Sequence, residues 1–216
     1  MSIQMPSSSK TDSFRKRLTR EESKALTRSR LIEIGRKHIL RDGLGNAVAE
    51  RIAEEAGYSR GAFYGNFEDK EDLFLAIMLH DHEEEYNLFQ GLLEKYQDSD
   101  ALLREMRDAF ADRVTNAEWL FLRAELEAGA LRSEKMKALY VQLHRRMLRD
   151  GMEIVRRLTK QPNIRILLKP ADLILTMVSL SQGLAVSQHV LGSELPGMST
   201  RKLCRAVFDQ LISTKS

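Results

Sequence analysis

Cysteine is nearly absent from this sequence of 216 residues, where Cys204 stands alone. A single thiol excludes an internal disulfide and any CxxC metal or redox motif, and it fits a reducing compartment. Helix breakers are scarce too, with four prolines and twelve glycines against 43% apolar residues. The apolar positions recur at a 3.6-residue period over long stretches, which points to an all-α protein. No apolar run reaches membrane-spanning length, and the polar N-terminus lacks the apolar stretch of a signal peptide, so a cytoplasmic protein without a membrane partner is expected. Nothing pairs a nucleophile with a base, forms a phosphate loop or sets two carboxylates in a catalytic context, and the chain therefore reads as a non-enzyme. His80, Asp81, His82 and Glu83 to Glu85 place His80 and Glu84 at i, i+4 but supply no second ligand pair. They read as a solvated acidic helix face, and neither metal nor cofactor is expected.

The charge that is present is unevenly placed. The net charge is only +3, yet residues 1–30 hold eight lysines and arginines against three acids, a local excess of +5. That excess attracts polyanions through counterion release. Residues 1–20 combine it with almost no apolar content and read as a disordered basic tail.

Beside the tail lies the most informative stretch, Val48 to Phe67. Val48, Ile52 and Ala56 fall on one face of a short helix, with Glu50, Arg51, Glu54 and Glu55 opposite. Gly57 sits where a helix end wants a left-handed backbone, and Ser59 can cap a second helix. Two helices across a three-residue turn make a helix-turn-helix. Phe63 and Phe67 face inward, four residues apart, leaving Arg60, Gly61, Tyr64, Gly65 and Asn66 outward. The N-terminal residues of such a recognition helix lie nearest the base edges. Arg60 can reach a guanine edge, a contact worth about 1–3 kcal/mol of discrimination, or a phosphate. Gly61 and Ala62 keep the surface thin, Tyr64 offers a donor to a backbone oxygen, and Lys70 can hold an adjacent phosphate. Asn46 is expected to cap the first helix of the pair. The DNA-binding set is therefore Asn46, Ser59, Arg60, Gly61, Ala62, Tyr64, Gly65, Asn66 and Lys70.

The rest of the chain reads as further helices. A first helix starts near Arg20 to Ser23, runs to Arg41 and buries Leu26, Leu31, Ile34, His38 and Ile39, ending at Asp42-Gly43-Leu44-Gly45. From Asp69 or Lys70 a long helix carries Leu73, Phe74, Ile77, Met78 and Leu88 to Leu93. Asp98-Ser99-Asp100 marks a break, Asn116 caps Trp119 to Leu131, and Ser133 caps Glu134 to Thr159. Pro170 opens an apolar helix from Leu173 to Leu191; a loop through Pro196 and Gly197 precedes the last helix, which runs to about Ile212. About nine helices result, divided into a head over 21–68 and a larger body over 69–216.

The body supplies two further candidate surfaces. Phe89, Met106, Phe110, Trp119, Phe121, Tyr140 and Met147 recur at helical spacing and either pack a core or line an apolar ligand pocket. The helix from Leu173 is apolar nearly all round and needs more than one partner surface. Met177, Leu180 and Leu184, with Val207 and Leu211 of the last helix, are expected at a homodimer interface, whose two-fold symmetry would match paired DNA half-sites.

The run S-R-G-A-F-Y-G-N-F-E-D-K-E-D-L-F, preceded by I-A-E-E-A-G, resembles the signature of the TetR family of bacterial transcriptional regulators. The likeness begins near Thr27 and fades after about Met78. It implies DNA contacts from Arg60, Gly61, Tyr64 and Lys70, a core role for Phe63 and Phe67, and a dimer built as a four-helix bundle from the last two long helices. It also implies a pocket in the second domain whose small-molecule effector, apolar or aromatic here, releases DNA. Three positions depart from the family pattern. Ala47 and Val48 stand where a capping Thr or Ser is usual, Gly65 where a large residue often stands, and Asn66 where His is common. The expected function is a ligand-responsive repressor that binds a palindromic operator on double-stranded DNA. The alternatives are an activator, a DNA-binding protein of low specificity, or an α-helical small-molecule or protein-binding module without DNA binding.

Overall fold

The computed structural model describes residues 19–194 and 199–215. The expected disordered tail, as far as residue 18, and the loop at Pro196 and Gly197 lie outside the described residues. Nine α-helices are present among those described, and the chain is all-α apart from one small strand pair.

α1 (Arg20–Asn46) begins on a capping box. Thr19 Oγ1 accepts from the Glu22 amide at 3.1 Å, and Glu22 Oε2 accepts from the Thr19 amide at 2.7 Å, so two of the unpaired donors of the first turn are satisfied. Gly43, at φ 78°, leaves the helical path near the expected stop. Leu26 is not buried as expected but 56% exposed; it lies in the early turns of α1, whose buried residues begin only at Leu31.

α2 (Ala49–Glu55) and α3 (Arg60–Tyr64) form the helix-turn-helix. Gly57 sits between them at φ 82°, a backbone that side chains rarely adopt. Ser59 Oγ caps α3 by accepting from the Ala62 amide at 3.2 Å. The expected cap on α2 is absent. Val48 occupies that position with no side-chain hydrogen bond, while Asn46 Nδ2 donates back to the Asp42 carbonyl at 3.0 Å. Val48 is 39% exposed rather than inward, and Ala49, Ile52, Ala53 and Ala56 form the buried face.

α4 (Lys70–Lys95) starts on Asp69, whose Oδ1 accepts from the Asp72 amide at 2.9 Å. It lies along α1, where a Cβ on Gly35 would collide with Leu73. α5 (Ser99–Val114), α6 (Ala117–Ala130), α7 (Glu134–Leu158), α8 (Pro170–Leu191) and α9 (Thr200–Leu211) complete the body. Asn116 and Ser133 cap α6 and α7 through the Trp119 and Met136 amides. The last helix closes one residue before the expected Ile212, because Ile212 begins a strand. β1 (Ile164–Ile166) pairs antiparallel with β2 (Ile212–Thr214), clipping the C-terminal segment to the α7–α8 connection.

Two apolar clusters hold the fold. One joins Phe63, Phe67, Phe74 and Ile77 of the head and early α4 to Leu122, Leu126, Leu143 and Met147 of α6 and α7. The other packs Leu102, Phe110, Leu158, Leu173 and Phe208 between α5, α7, α8 and α9. Contrary to the sequence expectation, α8 is long and apolar enough to cross a membrane by length and composition. It packs against α7 and α9 with Leu173, Met177, Ser181 and Ala185 buried.

Candidate nucleic-acid interface and ligand cavity

On α3 the buried and open positions separate cleanly. Phe63 is fully buried and Phe67 is 2% exposed, their rings 5.7 Å apart, and this contact seats α3 against the head. Arg60, Gly61, Tyr64 and Gly65 are exposed on the other side, with Ala62 half-buried between them. A Cβ on Gly61 would meet nothing closer than Ser59 Oγ at 3.7 Å, so a flat partner can approach the main chain here. Arg60 Nε lies 3.2 Å from Glu50 Oε1, and Tyr64 donates to the same oxygen at 3.5 Å. The Arg60 guanidinium also stands 5.4 Å from the centre of the Tyr64 ring. Glu50 of α2 thus holds both candidate contacts in place.

Asn66 departs from its expected outward direction. Its Nδ2 donates to the Ala62 carbonyl at 2.8 Å, and its Oδ1 is buried without a protein partner. Arg28 of α1 donates to the Asn66 carbonyl at 2.8 Å and lies 4.3 Å above the Phe67 ring. That locking role for Arg28 was invisible in the sequence, since it depends on a contact 38 residues away. Asn46 is exposed, and Lys70 Nζ donates to the Gly45 carbonyl at 2.6 Å.

The candidate pocket residues divide. Phe89, Met106, Phe110 and Met147 line one cavity of about 150 Å³, with Ile154, Phe208 and others. Trp119 instead borders a separate cleft between α1, α4, α5 and α6, under the Arg113 guanidinium at 4.6 Å. Tyr140 packs beside the head-facing cluster, stacked on His144 with ring centres 3.9 Å apart. Phe121 is 38% exposed and lines neither. These three face other sides of their helices, which a helical period alone does not distinguish.

His82 of α4 is the residue the sequence misassigned. It is 8% exposed rather than part of a solvated face, and it borders the cavity. Its Nε2 lies 3.0 Å from Asp150 Oδ2 of α7. Burial pulls the His82 pKa below its usual value despite that carboxylate. Burial alone would raise the Asp150 pKa, but hydrogen bonds from Arg146, His82 and Arg149 outweigh it and keep the carboxyl below its usual range. Among the described residues no three His, Cys, Asp or Glu side chains cluster for a metal.

At the expected interface, Met177 is buried and turned into the cavity, so it is not free for a partner. Leu184 and Leu211 are half-buried against the body core, as are Leu180 and Val207 on their own helices. The apolar side chains left open on α8 are Leu175, Val186, Val190 and Leu191, with Leu203 on α9.

These features define a class, an all-helical protein with a helix-turn-helix head whose partner-facing side is set by α3. The head is of TetR type: residues 31–77 match the model of the bacterial regulatory proteins of the tetR family. A relative, the HTH-type transcriptional repressor AcnR of Corynebacterium diphtheriae, is 27% identical over 128 residues, which take in 59% of this chain and 62% of that protein. The fold is shared with a Rhodococcus sp. protein described as a TetR-family transcriptional regulator, at a TM-score of 0.70 and 19% identity over 87% of this chain and 98% of that one. A Mesorhizobium loti protein of the same description gives 0.68 and 20% over 91% and 100%. The reduced form of E. coli NemR gives 0.66 and 16% over 87% and 98%.

Proposed function

We propose that the chain is a ligand-responsive transcriptional repressor that binds a two-fold symmetric DNA site as a dimer. The observation that carries this reading is the division of α3, with Phe63 buried in the head while Arg60, Gly61 and Tyr64 stand open beside Lys70. Arg60 reads a base edge or phosphate in the major groove, Tyr64 and Lys70 hold phosphates, and the thin surface at Gly61 and Gly65 admits the duplex. The repressor sign is supported by the name of the relative AcnR. The open apolar face of α8 and α9 supports a dimer, since a second copy would cover Leu175, Val186 and Val190. A cytoplasmic location follows from this role.

The cavity is the effector site in this reading. α4 forms one wall of it through His82, Glu85 and Phe89, contributes Phe74 and Ile77 to the head core and begins at Lys70. Lys70 and His82 are twelve residues apart, about 18 Å along a helix. A ligand that favours one setting of α4 therefore shifts the separation of the two heads and weakens DNA binding by population shift.

Selection of bound duplexes from a random pool tests the proposal. Enrichment of a palindrome, with gel-shift affinity lost in Arg60→Ala and Tyr64→Ala, is expected. An unsymmetric or unenriched pool would overturn specific dimeric binding.

A further inference from the structure

We infer that the cavity takes a neutral, single-ring molecule with one hydrogen-bond donor, of the phenol class, and that this donor rests on His82 Nδ1. The inference rests on the cavity being the effector site.

Size comes first. The cavity measures about 150 Å³, and an apolar cavity of about that volume accommodates a benzene-sized guest. Its walls include Phe110, Met106, Met177 and Phe208, aromatic and thioether groups that pack well on a ring. Multi-ring compounds exceed the space.

Polarity narrows the class. Asp150 Oδ2 takes Arg146 Nε at 2.6 Å and His82 Nε2 at 3.0 Å, so the carboxylate is ionised and His82 Nε2 carries the proton. Nδ1 is then a bare acceptor, and it is buried with no partner in the protein. An unpaired buried acceptor is costly, and a guest hydroxyl or N–H removes that cost. The other acid on the wall, Glu85, is already paired with Arg113. A cationic guest therefore finds no free counter-charge there, and an anionic one would face Glu85 and the Nδ1 lone pair. A neutral donor is the chemistry that fits.

Calorimetric titration of the full chain with phenol and with toluene, its isostere without a donor, tests the assignment. Phenol should bind, and His82→Leu should weaken it about tenfold, the scale of one hydrogen bond, while toluene changes by less than about twofold. On the unsubstituted protein, the imidazole ¹⁵N resonance of unprotonated Nδ1 should shift on adding phenol and stay put with toluene. Absence of phenol binding, an unmoved Nδ1 resonance, or equal losses for both compounds in His82→Leu would overturn it. DNA affinity is read separately. Phenol bound on Nδ1 without effect on DNA supports the ligand assignment and refutes the effector reading. Release of DNA by a charged or multi-ring compound that occupies the cavity, with no phenol binding, overturns the assignment and leaves the effector reading standing.

Discussion

Lys70, the first residue of α4, donates from Nζ to the main-chain carbonyl of Gly45 at 2.6 Å. The bond ties the start of the long helix to the segment that enters α2, so the part of α4 nearest the DNA moves with the helix-turn-helix. A phosphate beside Lys70 would share the ammonium with that carbonyl, since three donors are available.

Lys70→Met should therefore weaken binding to specific and unrelated duplexes alike. The slope of log affinity against log salt should fall by about one phosphate contact. Fluorescence anisotropy across a salt series measures this, and an unchanged slope would mean that Lys70 serves only the Gly45 carbonyl.

Glu50 restrains Arg60 and Tyr64 through one carboxylate oxygen. Glu50→Gln removes a negative charge beside the phosphates and frees the Arg60 guanidinium. Affinity for any duplex should rise by up to about fivefold, the scale of a surface ion pair, and weaker binding in a gel shift would show instead that Glu50 pre-sets the Arg60 geometry.

Gly61 and Phe63 separate stability from binding. Phe63→Ala empties a fully buried site and should cost about 3–5 kcal/mol in urea unfolding. Gly61→Ala adds a methyl into open space inside α3 and should leave stability equal or better by up to about 1 kcal/mol. Its DNA affinity should nevertheless fall, because the methyl stands on the approach surface; unimpaired binding by Gly61→Ala would contradict the assignment of that face.

His144 makes stability depend on pH. Its Nδ1 donates to the Tyr140 carbonyl at 3.0 Å, and its Nε2 lies 3.4 Å from Arg123 Nη2, which donates to it. Burial, and then the Arg123 charge, hold its pKa below the usual 6.5, as burial does for His82. Below pH 6.5 the unfolded chain takes up these protons first, so native stability is full above that pH and declines as pH falls through it toward the lowered native values. The urea midpoint should drop between pH 7.5 and 5.5, and His144→Phe should lose part of that drop. Identical pH dependence in the variant would assign the effect elsewhere.

Local chemistry was legible in the chain. The Ser59, Asn116 and Ser133 caps, the turn at Gly57 and the inward pair Phe63 and Phe67 all depend on neighbours three or four residues away, and all stand where the pattern put them. The misreadings share a different origin. Leu26, Asn46, Asn66 and His82 occupy plausible positions on their own helices, and their fates are set by what the helix packs against. Phe121 and Tyr140 sit at the same kind of spacing as Phe110, yet only Phe110 meets the cavity.

By itself the sequence determined the helices, their ends and the head with its contact face, because capping and a 3.6-residue period act within one or two turns. Only the tertiary structure decided which side chains enclose the cavity and which acceptor is left unpaired there. His82 and Asp150 are 68 residues apart, and no local pattern records that α4 and α7 bring them within hydrogen-bonding distance.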